Sequence, residues 1–155
     1  MTIKPTLVLT FVFQAKRQRV FDVLTQAEHL NRWFTKGAQV DLQVGGHMTT
    51  GEGERFKFAK VAVPRQLVST YSSPRLDVET EVDMTLESPG PLTRTMLRIV
   101  QKGLDPEQVS EEAYCWMTDR WNFLGAALRH YLDRRGRISF ETWQQEHSPV
   151  YEVRK

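Results

Sequence analysis

The sequence predicts an α+β fold in which an antiparallel sheet packs against one long C-terminal helix. Three observations carry this prediction. A single strand is followed at once by two short helical segments, alternating segments then fill the middle of the chain, and an apolar residue recurs every three or four positions near the end. One helix against an antiparallel sheet is a common two-layer arrangement that buries an apolar face of each.

The first three elements lie within the first 34 residues. Alternating apolar and polar residues predict a strand over residues 6–13. Apolar residues at helical spacing predict a short helix over residues 16–24. Thr25 and Glu28 have the spacing of a capping box, in which a threonine hydroxyl accepts from the amide three residues later. We therefore expect a second helix that ends near Trp33.

Six further strands are predicted between residues 38 and 101. The most informative pair is residues 78–87 and 92–101, joined by the turn sequence Ser-Pro-Gly-Pro at residues 88–91. If that tight turn sets the register, Met84 lies opposite Thr95. One face of this hairpin is then charged, and the other is apolar with threonines mixed in.

The long helix is predicted from Ser110 to Arg135, with Ser110 as its cap or with an earlier start at Asp105. At about 1.5 Å per residue, this helix would be roughly 35–40 Å long. The tail that follows contains several apolar residues that are expected to dock on the domain or on a second copy. These residues are Ile138, Phe140, Trp143 and Tyr151.

Composition excludes several classes of protein. The 155 residues are 40% apolar and 26% charged, as expected for one folded domain spanning residues 1–155. Because 21 basic residues nearly balance 19 acidic ones, a nucleic-acid partner is not expected. The single cysteine, Cys115, cannot form an internal disulfide or a thiolate metal site.

The sequence also lacks the patterns of a membrane protein. The apolar stretch at residues 7–13 is too short for a signal peptide. No window approaches the roughly 20 apolar residues that span a bilayer. We therefore expect a cytoplasmic protein with no membrane partner.

Four stretches resemble one known family. Residues 20–34, VFDVLTQAEHLNRWF, are similar to the helical signature of the AHSA1-like family, relatives of the Hsp90 ATPase activator domain. The glycine turn of residues 44–46, the segment VPRQLVSTY at 63–71 and the helix WNFLGAALRHYL at 121–132 resemble further family motifs. The resemblance covers residues 6–135 and leaves residues 136–155 as a C-terminal extension.

This family belongs to the START-like, or SRPBCC, superfamily. The resemblance implies a helix-grip fold, a curved sheet wrapped around the long helix with room for a cavity between them. Three positions depart from the family pattern. Gln101 stands where the family often has histidine, Arg120 where a glycine commonly precedes the helix tryptophan, and Tyr71 where the strand tryptophan is usual.

Residues expected to face such a cavity come from both layers. Apolar and aromatic side chains suit a small hydrophobic ligand because ligand pockets are mostly apolar with a few polar groups. Trp33 and Phe34 are expected at the mouth. The remaining predicted ligand-binding residues are Met84, Leu86, Thr95 and Leu97 from the sheet, and Tyr114, Met117, Trp121 and Leu124 from the helix. The same aromatic residues could instead simply fill the core.

No catalytic or metal site is predicted. The four histidines are scattered, and no pair has metal-ligand spacing. The alternating carboxylates at 79, 81 and 83 are expected to form a solvated face. A cavity enzyme needs an inward-facing ionisable residue with a perturbed pKa, and the sequence offers no good candidate. No cofactor is expected.

Three functions remain in order of preference. The first is a non-enzymatic binding module for a small hydrophobic or aromatic molecule. The second, implied by the resemblance, is a protein-interaction role like that of Hsp90 co-chaperones, with a protein partner or a homodimer and a link to stress response. The third, also implied by the resemblance, is an enzyme of the polyketide cyclase type.

Overall fold

The computed structural model describes residues 3–90 and 93–147. Its elements follow the predicted order of one strand, two helices, six strands and a long helix, with one more helix after it. In chain order they are β1 Thr6–Phe13, α1 Arg17–Thr25, α2 Ala27–Trp33, β2 Gln39–Val40, β3 His47–Thr49, β4 Arg55–Ala62, β5 Gln66–Ser72, β6 Thr80–Glu87, β7 Thr95–Lys102, α3 Glu111–Leu132 and α4 Phe140–His147.

The strands within these described ranges form one antiparallel sheet, in the order β1-β7-β6-β5-β4-β3-β2. The sheet is curved and open, and its apolar face packs on α3, which confirms the predicted α+β helix-grip fold. The core lies between these two layers and is closed at one end by α1 and α2.

The close approach of α3 to β1 depends on Gly125. A Cβ atom placed on Gly125 would lie 2.3 Å from the Phe11 ring, which is closer than carbon atoms can pack. A glycine in the middle of a helix lowers helix stability by about 1 kcal/mol relative to alanine. The structure uses that position to bring the helix onto the edge strand.

The corner between α1 and α2 is formed differently from the capping box predicted by the sequence. Thr25 is the last residue of α1, and its hydroxyl donates to the carbonyl of Phe21 at 2.7 Å. Gln26 precedes α2, and its side chain makes no capping bond. The capping-box prediction is therefore wrong, because the threonine hydroxyl is used within the helix that ends there. The second helix itself is confirmed.

The β6–β7 register also differs from the prediction. Met84 lies opposite Ile99, four residues beyond the predicted partner Thr95. The connection runs from residue 88 to residue 94, which is longer than the predicted tight turn. Since four is an even number, every side chain keeps its predicted face of the sheet. The apolar face is confirmed even though the pairing is not.

Helix α3 begins at a predicted cap and ends at Leu132, three residues before the predicted Arg135. Of the two candidate starts, Ser110 is the cap, and its hydroxyl accepts from the Ala113 amide at 3.0 Å. Residues 105–109 form a turn, in which the Asp105 carbonyl accepts from two later amides. None of the helices in the described part of the chain is long and apolar enough to cross a membrane.

The tail docks on the domain through α4. The Phe140 ring lies 5.8 Å from the Trp116 ring and 5.2 Å from the Phe123 ring, both on α3. Trp143 also packs against Phe123, and Ile138 contacts the core. Tyr151, predicted to take part, lies outside the described residues.

Candidate functional site

The ten residues predicted to bind a ligand are all buried between the sheet and the helices. Trp33 donates its indole N–H to the Val23 carbonyl at 3.0 Å, which ties α2 to α1. The Thr95 hydroxyl donates to the Ala15 carbonyl at 2.7 Å. The structure therefore assigns packing or hydrogen-bonding contacts within the fold to Trp33 and Thr95, and their role toward a ligand stays a prediction.

Trp121 lies at one end of a buried polar chain. Its indole N–H donates to Gln101 Oε1 at 2.8 Å, and Gln101 Nε2 donates to the Thr80 hydroxyl at 3.0 Å. Gln101 and Trp121 are fully buried, and Thr80 is nearly so. A buried amide must find partners for both its donor and its acceptor, and Gln101 finds one for each.

A second polar cluster lies close by and is ionic. Arg120 of α3 donates from Nε to Glu54 Oε1 at 3.0 Å and from Nη2 to the same oxygen at 2.7 Å. Nη2 also reaches Glu52 Oε1 at 2.8 Å. The side chains of Arg120 and Glu54 are both completely buried, whereas Glu52 is partly exposed. Buried charges need this kind of pairing, because desolvation of an isolated ion costs several kcal/mol.

Two hydroxyl groups also donate to the Glu54 carboxylate, one to each oxygen. The Tyr71 hydroxyl donates to Oε2 at 2.7 Å, and the Thr50 hydroxyl donates to Oε1 at 3.0 Å. Burial, and then the charge of Glu54, raise the pKa of the Tyr71 hydroxyl well above its usual value of 10. Burial alone would lower the pKa of Arg120, but the charge and hydrogen bonds of Glu54 outweigh it, so that this pKa is raised.

The turn between β3 and β4 carries both acidic residues and is held against the end of α2. The Gly51 amide donates to the Thr35 hydroxyl at 2.9 Å, and that hydroxyl donates to Glu52 Oε1 at 2.6 Å. A Cβ atom on Gly51 would lie 2.0 Å from the Lys36 carbonyl oxygen, so only glycine allows this approach. The turn is thereby placed so that Glu52 and Glu54 meet Arg120.

Aromatic rings enclose the Arg120 guanidinium. Its central carbon lies 4.1 Å from the centre of the Phe34 ring, 4.9 Å from that of Phe140 and 5.7 Å from that of Phe123. A guanidinium within about 6 Å of a ring centre gains from the negative charge of the ring face. Arg120 thus joins the β3–β4 turn, the end of α2 and the tail helix α4.

A cleft with a volume of about 530 Å³ opens directly above this cluster. It lies between α4, α3, the end of α2 and the β3–β4 turn. The residues that line it are Phe34, Lys36, Gly51, Glu52, Arg75, Trp116, Arg137, Ser139, Phe140, Glu141 and Gln144. Of the ten predicted ligand-binding residues, only Phe34 lines this cleft.

The cleft combines aromatic faces with charge. Phe34, Trp116 and Phe140 supply the aromatic lining, and the Arg75 guanidinium lies 5.5 Å from the Trp116 ring centre. Arg137 donates to the Asn31 carbonyl at 2.9 Å. Three cationic side chains line the cleft, from Lys36, Arg75 and Arg137, against the two carboxylates of Glu52 and Glu141.

Sequence reasoning missed the ionic cluster. The sequence offered no good candidate for an inward-facing ionisable residue with a perturbed pKa, yet Arg120, Glu54 and Tyr71 are all buried, and the pKa values of Arg120 and Tyr71 are raised. One signal was available. Arg120 lies three residues after Met117 and four before Leu124, on the apolar stripe of the helix. A charge at such a position requires a buried partner of opposite sign.

The cluster is built for structure and does not present a base. Both oxygens of Glu54 accept hydrogen bonds from three protein side chains, so neither is open to a substrate proton. Among the described residues, no group of three or more histidine, cysteine or acidic side chains could hold a metal ion. The cleft beside the cluster brings aromatic ring faces and charged side chains together.

Comparison with known proteins identifies the family. The family model described as "Activator of Hsp90 ATPase homolog 1-like protein" matches residues 14–133. No curated protein matches the chain significantly.

Solved structures show the same fold. An Hsp90 activator from Plasmodium falciparum is 18% identical, with a TM-score of 0.67 over 76% of this chain and 88% of that one. The Aha1 dimer from Colwellia psychrerythraea is 18% identical, with a TM-score of 0.66 over 81% and 93%. CalU16 from Micromonospora echinospora is 20% identical, with a TM-score of 0.63 over 83% and 79%. The chain, which shares this fold and matches the family model over most of its length, belongs to the family of Hsp90 ATPase activator homologue 1-like proteins.

Proposed function

We propose that this protein is a non-enzymatic binding module whose cleft takes a small aromatic ligand. The main observation that supports this proposal is the cleft of about 530 Å³ whose lining includes Phe34, Trp116 and Phe140. Its size lies within the range of about 300–1,000 Å³ that is usual for small-molecule sites. Flat aromatic side chains favour a flat ligand, because offset or edge-on ring pairs add to the area that is buried.

The arrangement of polar groups supports binding more than catalysis. The carboxylate of Glu54 is fully engaged, and the Tyr71 hydroxyl, with its raised pKa, stays protonated at neutral pH. Neither group is poised to exchange a proton with a ligand. An enzyme of the polyketide cyclase type therefore finds no acid–base pair in this cluster.

Thermal denaturation in the presence of candidate ligands tests the proposal. Apolar aromatics, fatty acids and polyketide-like compounds are screened. A compound at about 100 times its Kd stabilises the protein by about 2.7 kcal/mol, which raises the Tm by roughly 5–10 °C for a domain of this size. We expect saturable shifts from the aromatic compounds.

Two variants separate this cleft from the interior pocket expected from the sequence. Trp116→Ala removes a cleft wall and should abolish the ligand-induced shift. Met84→Ala alters the layer between sheet and helix and should leave the shift intact. The reverse pattern would move the ligand into the interior among the residues predicted from the sequence. No shift with any aromatic compound would exclude the proposal.

A second candidate is a protein-interaction role, supported by a strip of apolar side chains on the outer face of the sheet, interrupted by Thr10 and Arg98. Val8 and Val12 of β1 are 48% and 39% exposed. Their cross-strand neighbours Val100 and Met96 lie on the same face, which extends the strip onto β7. Similar proteins are named as an Hsp90 activator and as a dimer. A surface of this kind suits an Hsp90-type partner or a second copy of the chain.

Binding to purified Hsp90, stimulation of its ATPase and the mass in solution test this candidate. Val8→Lys with Val12→Lys should remove the interaction. Val44→Lys, at an exposed valine in the turn before β3, should not. A monomer that neither binds Hsp90 nor stimulates it would leave the strip without this role.

A further inference from the structure

One buried polar atom of the ionic cluster lacks a partner. Arg120 Nη1 has no hydrogen-bond partner among the residues that the structure describes, although the whole side chain is buried. Leaving a buried charged donor unsatisfied costs at least 1–3 kcal/mol, as an order of magnitude, so an orphan of this kind needs an explanation. The other two guanidinium nitrogens are occupied by Glu52 and Glu54.

The orphaned donor lies beneath the cleft. Three groups in contact with the Arg120 guanidinium also line the cleft, namely the Phe34 ring, the Phe140 ring and the Glu52 carboxylate. An aromatic ring face stabilises a buried guanidinium less than a charged hydrogen-bond acceptor does. The Arg120 guanidinium therefore lies next to the cleft and is separated from it by the Phe34 and Phe140 rings.

One of these two rings, that of Phe140, belongs to the short surface helix α4. No residue of α4 is buried, and α4 contacts α3 through the rings of Phe140 and Trp143 and through a long hydrogen bond of 3.5 Å from Gln144 to Asp119. A short helix with little buried area opens at a small free-energy cost. A shift of α4 that moves only the Phe140 ring aside would open Arg120 to the cleft and vacate the space that the ring fills.

We propose that Arg120 is the anion anchor of the cleft, and that the carboxylate of a small aromatic acid reaches its Nη1 when α4 carries Phe140 away. This inference rests on the proposed function and names its ligand class. The ring of the acid takes the place of the Phe140 ring against Trp116 and Phe123. The carboxylate supplies the missing acceptor.

The charge of the cleft favours an acid over a neutral aromatic compound. Lys36, Arg75 and Arg137 outnumber Glu52 and Glu141 in the lining. The two carboxylates bonded to Arg120 more than balance its charge, but Nη1 is left without an acceptor among the described residues, and with Arg120 and Glu54 counted the four cations around the cleft still outnumber the three carboxylates. A charge-assisted bond formed in a buried site is about twice as strong as a neutral one, so it separates an acid from its amide.

Calorimetric titration of the full chain with phenylacetate and with the neutral isostere phenylacetamide tests the anchor. We expect the acid to bind about tenfold more tightly or better, as a bond to a charged partner requires. Hydrogen exchange of residues 140–147 should rise when phenylacetate saturates the protein, because α4 is displaced. Equal affinities, or slower exchange in α4 with the acid bound, would overturn the inference.

Variants locate the anchor. Phe140→Ala removes one of the two rings that separate Arg120 from the cleft and should raise phenylacetate affinity several-fold, with a smaller change for the amide. Arg120→Gln combined with Glu54→Gln removes the charges as a pair and should abolish the preference for the acid. Arg129→Gln, at an exposed arginine of α3 that does not line the cleft, is the control and should keep that preference. Loss of the preference in Arg137→Gln alone would place the anchor at the rim of the cleft and overturn the inference.

The outcomes separate the two proposals. If the acid and the amide bind with equal affinity and Trp116→Ala abolishes the binding of both, the proposed aromatic-binding cleft is supported and the proposed role of Arg120 is excluded. If neither of these compounds nor any other aromatic compound binds, both the binding cleft and the role of Arg120 are excluded. The comparison of acid with amide and the exchange of α4 use the unaltered protein, so they decide the matter even if a variant fails to fold.

Discussion

Arg120 and Glu54 form a salt bridge of 2.7 Å in which neither side chain is exposed to solvent. The two residues come from the long helix and from the β3–β4 turn, on opposite layers of the fold. Their pairing, with Tyr71 and Glu52 attached, gives this domain an ionic cluster beside its apolar core. Four predictions follow from this cluster and its surroundings.

Removing one member of the buried pair should strongly destabilise the protein. Arg120→Met leaves Glu54 charged and buried, which costs about 3–5 kcal/mol in comparable cases. Urea denaturation measures the free energy of unfolding. Arg129→Met, at an exposed arginine of the same helix, is the control and should cost less than about 1 kcal/mol. Equal losses in the two variants would show that the pair is solvated.

The Tyr71 hydroxyl should make stability fall at high pH. Its pKa is raised above the usual 10, so from about pH 10 upward the unfolded chain loses this proton while the folded chain keeps it. The contribution of Tyr71 is therefore fully present below pH 10 and is lost as the pH rises towards the folded pKa. Tyr71→Phe lacks this dependence.

We expect Tyr71→Phe to cost about 1–3 kcal/mol at pH 8, because Glu54 loses a buried donor. Thermal denaturation between pH 8 and pH 11 should show the two proteins converging above pH 10. Other tyrosines and the lysines are common to both proteins and cancel in the difference. A difference in stability between the two proteins that stays constant across this pH range would contradict the raised pKa of Tyr71.

Gln101 should be needed to satisfy Trp121. Gln101→Leu leaves the buried indole N–H and the Thr80 hydroxyl without this partner, at a cost of about 1–3 kcal/mol. The free energy of unfolding and the near-ultraviolet signal of the tryptophans report the change. Gln18→Ala, at an exposed glutamine of α1, should change stability by less than about 0.5 kcal/mol. An unchanged free energy of unfolding in Gln101→Leu would mean that the Trp121 indole finds another acceptor.

Stability should require glycine at position 125 only when residue 11 has a side chain as large as phenylalanine. Gly125→Ala forces the new methyl group into the Phe11 ring and should cost about 1–3 kcal/mol before the gain in helix propensity. Adding Phe11→Leu should recover part of the loss, because the smaller side chain makes room. A double-mutant cycle in chemical denaturation measures this coupling. Strict additivity would show that the two residues do not touch.

Much of the fold could be predicted from local patterns. The first strand has the predicted bounds of residues 6–13, and Ser110 caps the long helix. Periodicity depends on which face of an element is buried, and that information is present in each segment by itself. For the same reason the apolar face of β6 and β7 was correct even though their register was four residues off.

Local patterns failed where a residue had more than one possible partner. Thr25 has the spacing of a capping box, yet its hydroxyl bonds back into the helix that it ends. The cleft was also missed, because its wall includes a tail helix whose position depends on contacts with α3. The candidate site shares only Phe34 with the predicted set.

The sequence by itself determined the element order, the buried faces and the position of Arg120 on the apolar stripe of its helix. Only the tertiary structure decided which acidic residues meet that arginine. Glu54 is 66 positions away along the chain, and the Thr35–Gly51 contact brings its turn to the helix. Hydrophobic periodicity is a local property, whereas pairing between buried charges depends on how separate layers pack.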